Sequence, residues 1–375
     1  MKILQIGKFW PILGGVEKVM FDLTQGLSAR GVTCDMLCAN SSGKTQLIKL
    51  NRRGSVIAVH TLLKAKSTMI SPAMVSHLRR IAGNYDIIHV HHPDPMAALA
   101  LYMSGYKGKV ILHWHSDILR QRMLLQAYRP LQSWLLRRAD KVICTSPNYA
   151  KGSKALQRVS HKLQCVPIGV APVIPSKNGA EDILRQAAGR KIVFSLGRMI
   201  PYKGFDNLVL AVRYLPDDYV VVIAGSGPLY ASLKKLAQSN GLESRIIMPG
   251  RISDHDRDTL MGAASVFCLP SVEKTEAYGI VLIEAMSAGL PVVATEIPGS
   301  GTSWVNAHGV SGLNAPCGDP LLLARAIVSV VDHPQGPKYY GLKARNRWET
   351  MFTLDIFIDN MARIYSQLLD TTGKA

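Results

Sequence analysis

The feature that most constrains the fold is a repeated alternation of short apolar segments with amphipathic ones. In the first half of the chain, β-branched apolar runs occur at 2–7, 33–38, 55–60, 86–91, 109–114 and 141–145. Several are apolar on both faces, as is typical of parallel strands that are covered by helices on both sides. Helical patterns at 16–30 and 74–81 lie between them and end close to a glycine. The alternation predicts an α/β fold with doubly wound parallel sheets.

The same alternation starts again after a connection rich in proline and glycine. Residues 166–179 contain three prolines and two glycines, and apolar runs follow at 191–195, 219–224, 245–248, 266–269 and 291–294. A length of 375 residues suits two domains of ordinary size. We therefore predict a Rossmann-like N-terminal domain over 1–170 and a Rossmann-like C-terminal domain over 171–353. A final helical segment, 354–375, could pack on either domain.

Composition excludes several classes of protein and points to an anionic partner. Hydrophobic residues make up 47% and charged residues 19%, which excludes a disordered, collagen-like or coiled-coil chain. No apolar run approaches the length of a membrane span and the N-terminus has no signal sequence, so we expect a cytoplasmic protein. The net charge of +18 would attract anionic lipid, phosphorylated ligands or nucleic acid. No motif of a nucleic-acid reader is present, which disfavours the last of these.

Two pairs of glycines lie where strands are predicted to lead into helices. Gly14 and Gly15 precede the first helical pattern, and Gly225 and Gly227 follow the run at 219–224. Glycine allows close backbone approach, and free N–H groups at the start of a helix attract phosphate. Each pair alone is equally compatible with a plain turn.

Two cations and two carboxylates mark the second half. Arg198 and Lys203 follow the run at 191–195 in a glycine-containing loop that suits a pyrophosphate, unless they are ordinary surface charges. Glu284 lies in the middle of an otherwise apolar helical pattern, where an unpaired carboxylate is costly. A ribose diol could partner it, and so could a buried arginine.

Glu276 precedes Glu284 by eight residues, roughly 12 Å along a helix. This separation exceeds the roughly 9.5 Å that paired glycosidase carboxylates reach, so the two are not an acid–base pair on one bond. It suits the two ends of a nucleotide sugar, with pyrophosphate at the N–H groups of Ala277, Tyr278 and Gly279.

In their order and spacing, these segments resemble family 4 of the retaining glycosyltransferases, along nearly the whole chain. The two glutamates separated by seven residues are the specific part of the resemblance. It implies a GT-B fold, with two Rossmann-like domains facing a central cleft. It also implies that Glu276 contacts sugar hydroxyls, that Glu284 contacts ribose, and that Arg198 and Lys203 neutralise the leaving diphosphate. Tyr278 stands where the family usually has phenylalanine.

The family also has a histidine after a strand of the N-terminal domain, and His115 matches it better than His113 does. A hydrogen bond to the donor sugar is its expected role. A zinc site among the histidines at 89, 91, 92, 113 and 115 is disfavoured, because no acidic or cysteine ligands lie nearby. The stretch 254–256 resembles a metal-binding Asp-x-Asp motif but is typical of a helix N-cap. We expect no metal and no cofactor besides the donor substrate.

The resemblance implies an enzyme that transfers a hexose, with retention, from a nucleotide-diphosphate sugar to a lipid-linked or saccharide acceptor. General similarity favours GDP-mannose and bacterial surface polysaccharide, including O-antigen and lipopolysaccharide. A UDP-sugar transferase, a sugar-nucleotide epimerase and a phosphorylase are competing interpretations. Residues 118–138 predict two basic amphipathic helices interrupted at Pro130. They indicate either a peripheral contact with the anionic inner face of the cytoplasmic membrane or a core-facing leucine stripe.

Overall fold

The computed structural model describes residues 1–12, 14–42, 44–65, 68–119, 122–176, 178–336 and 338–370. The chain divides into two compact units. Unit 1 comprises Met1–Ile168 and Leu354–Ala375, and unit 2 comprises Gly169–Thr353. The last helix of the chain therefore belongs with the N-terminal part of the sequence. Among the described residues, no helix has the length and apolar character needed to cross a bilayer.

Unit 1 is built around a mainly parallel sheet. The strands of unit 1 are β1 (Lys2–Trp10), β2 (Thr33–Asn40), β3 (Gln46–Asn51), β4 (Gly54–Val59), β5 (Leu63–Ala65), β6 (Thr68–Ile70), β7 (Ile87–His92), β8 (Lys109–Trp114), β9 (Lys141–Cys144) and β10 (Leu163–Cys165). In the described part of the sheet the order is β10-β9-β8-β7-β1-β2-β4-β3. Only β3 runs antiparallel to its neighbour in that sheet, and β5 and β6 form a separate two-stranded ribbon. This is the doubly wound order expected from the alternating pattern.

Helices cover this sheet. They are α1 (Gly15–Ala29), α2 (Pro72–Ile81), α3 (Pro95–Ser104), α4 (Arg122–Arg138), α5 (Pro147–Gly152) and α6 (Lys154–Gln157). Their starts follow ordinary capping rules: Ser71, Asp94 and Ser146 each cap a helix that has proline in its first turn. The central strand β7 is buried along its whole length, although three of its six residues are histidines.

Unit 2 repeats the design. Its strands are β11 (Lys191–Leu196), β12 (Tyr219–Ala224), β13 (Ile246–Gly250), β14 (Val266–Leu269), β15 (Val292–Glu296) and β16 (Gly312–Pro316). They are parallel, in the order β13-β12-β11-β14-β15-β16. The helices are α7 (Glu181–Ala187), α8 (Phe205–Ala211), α9 (Tyr230–Ser239), α10 (Asp254–Ala263), α11 (Ile280–Ser287), α12 (Thr302–Val305), α13 (Pro320–Val331) and α14 (Lys338–Met351).

The last helix, α15 (Leu354–Asp370), packs within unit 1. A Cβ at Gly26 would lie 2.1 Å from Ile358 Cδ1, so the glycine allows α15 to approach α1 closely. Arg30 forms ion pairs with Asp355 and Asp359 at the start of α15. Because α15 is amphipathic, its apolar face needs a covering surface, and α1 supplies part of it.

The prediction of two helices interrupted at Pro130 is wrong. α4 is one helix over Arg122–Arg138, with Pro130 inside it. Proline removes one backbone donor but does not end a helix whose other contacts hold. Leu135 is fully buried and Leu136 nearly so, while Arg129 and Arg137 are exposed. The leucine stripe of the described part of α4 therefore faces the core of unit 1. Residues 120–121 of the predicted segment lie outside the described residues.

Candidate active site

The strand order of each sheet creates one position where ligands commonly bind. In unit 2 the chain leaves β11 in one direction and returns at β14 beside it, so the loops after these two strands diverge. A crevice forms at such a switch point, beyond the carboxyl ends of the strands. The loop after β11 carries Arg198 and Lys203, and the loop after β14 carries Glu276. The equivalent position in unit 1 lies between β1 and β7.

Lys203 and Glu276 meet at the switch point of unit 2. Lys203 Nζ lies 2.6 Å from Glu276 Oε2, and the two side chains are only 12% and 11% exposed. Ser271 Oγ donates to the same carboxylate oxygen at 3.0 Å. Ser300 Oγ donates to the backbone carbonyl of Glu276, which fixes the loop from a third strand end. The carboxylate is therefore held in one orientation by a cation and a hydroxyl.

The protonation state of Lys203 follows from this pairing. Burial of the ammonium acts to lower its pKa, but the Glu276 carboxylate, together with Tyr202, outweighs burial, and the net effect raises the pKa of Lys203. Lys203 is therefore charged throughout the physiological range. Arg198, by contrast, is exposed, and its side chain forms no hydrogen bond or ion pair with the described residues. It is available to an anionic ligand.

The glycines of these loops are required by contacts between loops. A Cβ at Gly225 would lie 1.9 Å from the Gly197 carbonyl oxygen, and one at Gly227 would lie 2.4 Å from that of Met199. Gly204 has φ +63°, and a Cβ there would lie 2.1 Å from the Pro270 carbonyl oxygen. These close approaches hold the three loops together around Lys203, which is a structural reason for each glycine besides any contact with a ligand.

The segment between the two glutamates is only partly helical. α11 begins at Ile280, and Gly279 is its N-cap with φ +81°, a conformation that glycine adopts without strain. Ala277 and Tyr278 are nearly buried in the turn before it. The separation of roughly 12 Å inferred from the sequence requires helical geometry throughout, which holds only for the part from Ile280 onward.

The expectation that Glu284 is fully buried is wrong, whereas the expected need for a partner holds. The residue is only partly buried, because α11 turns this face toward solvent. Burial of the Arg257 guanidinium acts to lower its pKa, but the carboxylates of Asp258, Glu284 and Asp254 outweigh burial, and the net effect raises the pKa of Arg257. The protein therefore supplies part of the charge compensation for Glu284, and its contact with ribose stays a prediction.

In unit 1, Gly14 and Gly15 lie at the start of α1, as the pattern predicts. The side chain of Glu17 folds back onto this helix start, and a Cβ at Gly14 would lie 2.6 Å from Glu17 Oε2. Burial raises the pKa of Glu17, while Lys8 and the backbone N–H groups of Glu17 and Gly14 act to lower it. The Glu17 carboxylate thus already occupies the place proposed for phosphate. An anion could bind at this helix start only if Glu17 moved away or became protonated.

His115 lies directly after β8 and is the least buried member of a cluster of buried histidines. His89, His91 and His113 are fully buried, and His115 is 6% exposed. His115 Nε2 lies 2.9 Å from His91 Nδ1, and the rings of His113 and His115 stack at 4.2 Å between centroids. Burial lowers the pKa of His115 well below its usual value, assisted by nearby cations and imidazoles. His115 is therefore neutral and serves as a hydrogen-bonding group.

The histidine cluster also bears on the disfavoured zinc site. Ring nitrogens of His89, His91 and His113 lie within 4.8 Å of one another. The rings are stacked, however, at interplanar angles of 30° or less, so their in-plane lone pairs do not converge on one point. Both nitrogens of His91 are already hydrogen-bonded, to His115 and to Gln5. The arrangement is that of a packed, hydrogen-bonded ladder.

The Asp254–Asp256 stretch is a helix start, which confirms the predicted cap. Ser253 caps α10, and its hydroxyl and the Asp256 side chain complete a capping box. Asp256 also accepts a hydrogen bond from the Ala180 N–H at 2.8 Å. These contacts explain the acidic pair without a metal ion.

Several residues that shape the two regions were not found from the sequence. They are Ser271 and Ser300 around Glu276, Arg257 beside Glu284, and Gln5 and Tyr365 behind His115. Gln5 carried a usable signal, because it is a polar residue within an otherwise apolar strand and a buried amide needs partners. Ser300, Arg257 and Tyr365 lie far from their partners along the chain, and Ser271, although only five residues from Glu276, gave no pattern of its own.

Comparisons with known proteins identify the family to which the chain belongs. The family model described as Glycosyltransferase Family 4 matches residues 13–172, and that of Glycosyl transferases group 1 matches residues 178–347. The chain is 30% identical to O-antigen chain mannosyltransferase C of Escherichia coli over 99% of its length and 100% of the relative. It belongs to glycosyltransferase family 4. This glycosyltransferase is also 31% identical to a D-rhamnosyltransferase of Pseudomonas aeruginosa, over 94% of the chain and 92% of the relative.

Solved structures confirm the fold. Sucrose-phosphate synthase from Thermosynechococcus elongatus is similar with a TM-score of 0.81 and 21% identity, over 99% of this chain and 100% of that one. The Anabaena protein HepE in complex with UDP and glucose is similar with a TM-score of 0.77 and 22% identity, over 98% and 100% of the two chains. The predicted GT-B fold of this protein is confirmed, as is glycosyltransferase activity.

Proposed function

We propose that this glycosyltransferase moves a hexose, with retention, from a nucleotide-diphosphate sugar to a lipid-linked or saccharide acceptor of a bacterial surface polysaccharide, and that GDP-mannose is the donor. The observation that carries the proposal is the Lys203–Glu276 pair at the switch point of unit 2. The full-length similarity to an O-antigen mannosyltransferase supports the choice of mannose.

The pair can perform two tasks with one donor. Glu276 retains acceptor capacity beyond its bonds to Lys203 and Ser271, so it can bind sugar hydroxyls. Lys203 and the exposed Arg198 can bind the diphosphate, whose negative charge grows as the bond to the sugar breaks. Glu284 and the backbone at Ala277–Gly279 would hold the ribose and the phosphates. Because Lys203 is already oriented by Glu276, its charge needs little reorganisation during the reaction.

In this proposal the leaving phosphate accepts the proton of the incoming acceptor hydroxyl on the face from which it departs. No metal ion is required, since Arg198 and Lys203 supply the positive charge that a divalent ion supplies in other transferases. The neutral His115 donates or accepts a hydrogen bond with the donor sugar and does not act as a base.

We expect GDP-mannose to raise the melting temperature of the protein more than UDP-glucose, ADP-glucose or free GDP. At equal concentration, the ligand that binds the native state more tightly stabilises that state more. Transfer to a saccharide acceptor should then give an α-linked product by NMR, at the same rate with and without EDTA. An inverted product, or loss of transfer on chelation, would contradict the retaining, metal-free mechanism. Stabilisation by UDP-sugars alone would reassign the donor, in line with the UDP complexes of the structural neighbours.

A reaction without an acceptor distinguishes a transferase from an epimerase or a phosphorylase. If the enzyme converts a sugar nucleotide into its epimer without an acceptor, it is an epimerase. If product forms only in the presence of inorganic phosphate, it is a phosphorylase. The proposal expects neither, because the relatives at about 30% identity are transferases.

We further propose that unit 1 contacts an anionic membrane through the surface between α2 and α3. A groove there is lined by apolar residues and two arginines: Ile70, Pro72, Val75, Met96, Leu99, Met103, Arg79 and Arg80. Tyr102 and Met103 beside it are 56% and 49% exposed. Exposed apolar side chains next to arginines fit a surface of anionic lipid headgroups better than the core-facing leucines of α4 do.

We expect the protein to float with vesicles that contain phosphatidylglycerol and not with phosphatidylcholine vesicles. Replacing Arg79 and Arg80 by glutamate should reduce the membrane partition coefficient at least roughly 30-fold, at about 1 kcal/mol for each basic residue lost near the surface. The matched control replaces Arg129 and Arg137 on the exposed face of α4. Equal flotation with both lipids, or an effect confined to the α4 variant, would contradict this surface.

A further inference from the structure

A chain of hydrogen bonds links the last helix to His115 through the interior of unit 1. Tyr365 of α15 lies 2.6 Å from His89 Nδ1 and 3.1 Å from Gln5 Nε2. Gln5 Oε1 lies 2.8 Å from His91 Nε2, and His91 Nδ1 lies 2.9 Å from His115 Nε2. Apart from His115, every member is fully buried, so no bulk water competes for these bonds.

The position of each proton follows from these contacts. The Gln5 amide donates to the Tyr365 oxygen, so the one phenol proton of Tyr365 is donated to His89 Nδ1. The Gln5 carbonyl oxygen can only accept, which places a proton on His91 Nε2. His91 Nδ1 is then bare and accepts from His115 Nε2–H. A neutral His115 consequently has its lone pair on Nδ1, for which the described residues offer no hydrogen-bond partner.

We propose that Tyr365, Gln5 and His91 position His115 and fix its tautomer, so that His115 Nδ1 accepts a hydrogen bond from a hydroxyl of the donor sugar. The contact with the donor rests on the proposed function, whereas the tautomer does not. Burial raises the pKa of Tyr365 well above its usual value and lowers that of His91 far below it, so both groups keep these protons across the physiological range.

The register of the sheet explains why these residues meet. Gln5 of β1 is paired with His89 of β7, and His91 is paired with His113 of β8. Because side chains alternate along a strand, Gln5, His89, His91 and His113 share one face of the sheet. Tyr365 reaches this face from α15. His113 stacks within the ladder, but both of its ring nitrogens lack a partner, so it does not belong to the hydrogen-bonded chain.

The test uses full-length protein labelled with ¹⁵N-histidine, whose ring nitrogen shifts distinguish protonated from bare nitrogens. The ring resonances of His115 are identified because they disappear in His115→Asn. In the wild type, these resonances should show a proton on Nε2 and none on Nδ1. Tyr365→Phe removes one hydroxyl without changing the volume, and should give His115 a mixture of tautomers. Its kcat/KM for the donor should fall roughly tenfold, the size of one lost buried hydrogen bond.

Two controls separate positioning from structural damage. Tyr219→Phe removes the hydroxyl of another buried tyrosine, bonded to Asp332 at 2.9 Å in unit 2, and should leave the tautomer and the rate unchanged. His115→Asn, which preserves a polar atom at the Nδ1 position, should retain more activity than His115→Gln, which preserves one at Nε2.

A proton on Nδ1 of wild-type His115 would overturn the assignment, since it would mean that the Gln5 amide and every bond in the chain are reversed. An unchanged tautomer and rate in Tyr365→Phe would overturn the positioning role. If the wild type shows the expected tautomer but transfers no sugar from any donor, the proposed function fails while the tautomer assignment stands.

Discussion

Unit 1 is expected to unfold in mild acid, between about pH 6 and 4.5, because its buried histidines cannot be charged while it is folded. Burial lowers the pKa of His92 and His113 to about 3 and those of His89, His91 and His115 well below 6.5. The unfolded state therefore binds up to five more protons as the pH falls through 6.5, and each contributes about 1.4 kcal/mol per pH unit. The free energy of unfolding is therefore at its full value above pH 6.5 and decreases as the pH falls below 6.5.

Three buried carboxyls act in the opposite direction. The pKa values of Glu17, Asp22 and Asp94 are raised mainly by burial, so these groups favour the native state as the pH falls. They offset part of the loss, but five groups that resist protonation outnumber three that favour it, so the free energy of unfolding falls overall as the pH drops from 6.5 to 5. Circular dichroism against pH gives the midpoint, and hydrogen exchange resolved by peptide shows whether β7 and β8 lose protection first.

Variants of single histidines test the cause. His113→Leu removes one titrating ring and two unpartnered nitrogens, and should flatten the dependence by about 1.4 kcal/mol per pH unit. His161→Gln is the matched control, because His161 is exposed and its ring is solvated in both states. A stability that is independent of pH between 7 and 5, or an equal effect of the two variants, would contradict this origin.

Breaking the Lys203–Glu276 pair is expected to abolish most transfer. Glu276→Gln and Lys203→Met should each lower kcat by roughly 10² to 10³, the usual cost of removing one preorganised electrostatic contact with a transition state. Lys203→Met should also lower the free energy of unfolding by about 3 kcal/mol, because it leaves the Glu276 carboxylate buried without its cation. Steady-state kinetics and urea unfolding measure the two effects separately.

The double variant separates chemistry from folding. Lys203→Met combined with Glu276→Gln leaves no unpaired charge and should recover most of the stability, while it stays inactive. Lys191→Met breaks ion pairs with Asp218 and Asp332 in the same unit and should keep its activity. Transfer at the wild-type rate in Glu276→Gln would remove this carboxylate from the active site.

Local patterns were sufficient for much of the fold. The predicted strands at 109–114, 219–224 and 266–269 have the observed bounds. The last two are continuous apolar runs that end at a turn-forming residue, Gly225 or Pro270. Ser253 starts α10 because its hydroxyl satisfies a free N–H group of the first turn. Local patterns failed where tertiary packing decides the outcome: α4 continues through Pro130, and Glu284 is only partly buried and lies near Arg257.

The sequence by itself determined the alternation of strands and helices, the order of the motifs and the choice of residues proposed to bind a diphosphate and a sugar. Only the tertiary structure decided that Lys203 meets Glu276 and that Tyr365 reaches the histidine ladder. Strand and helix propensities act over a few neighbouring residues, whereas these contacts join distant segments. They exist because the strand order places β11 beside β14, and because α15 buries its apolar face on unit 1.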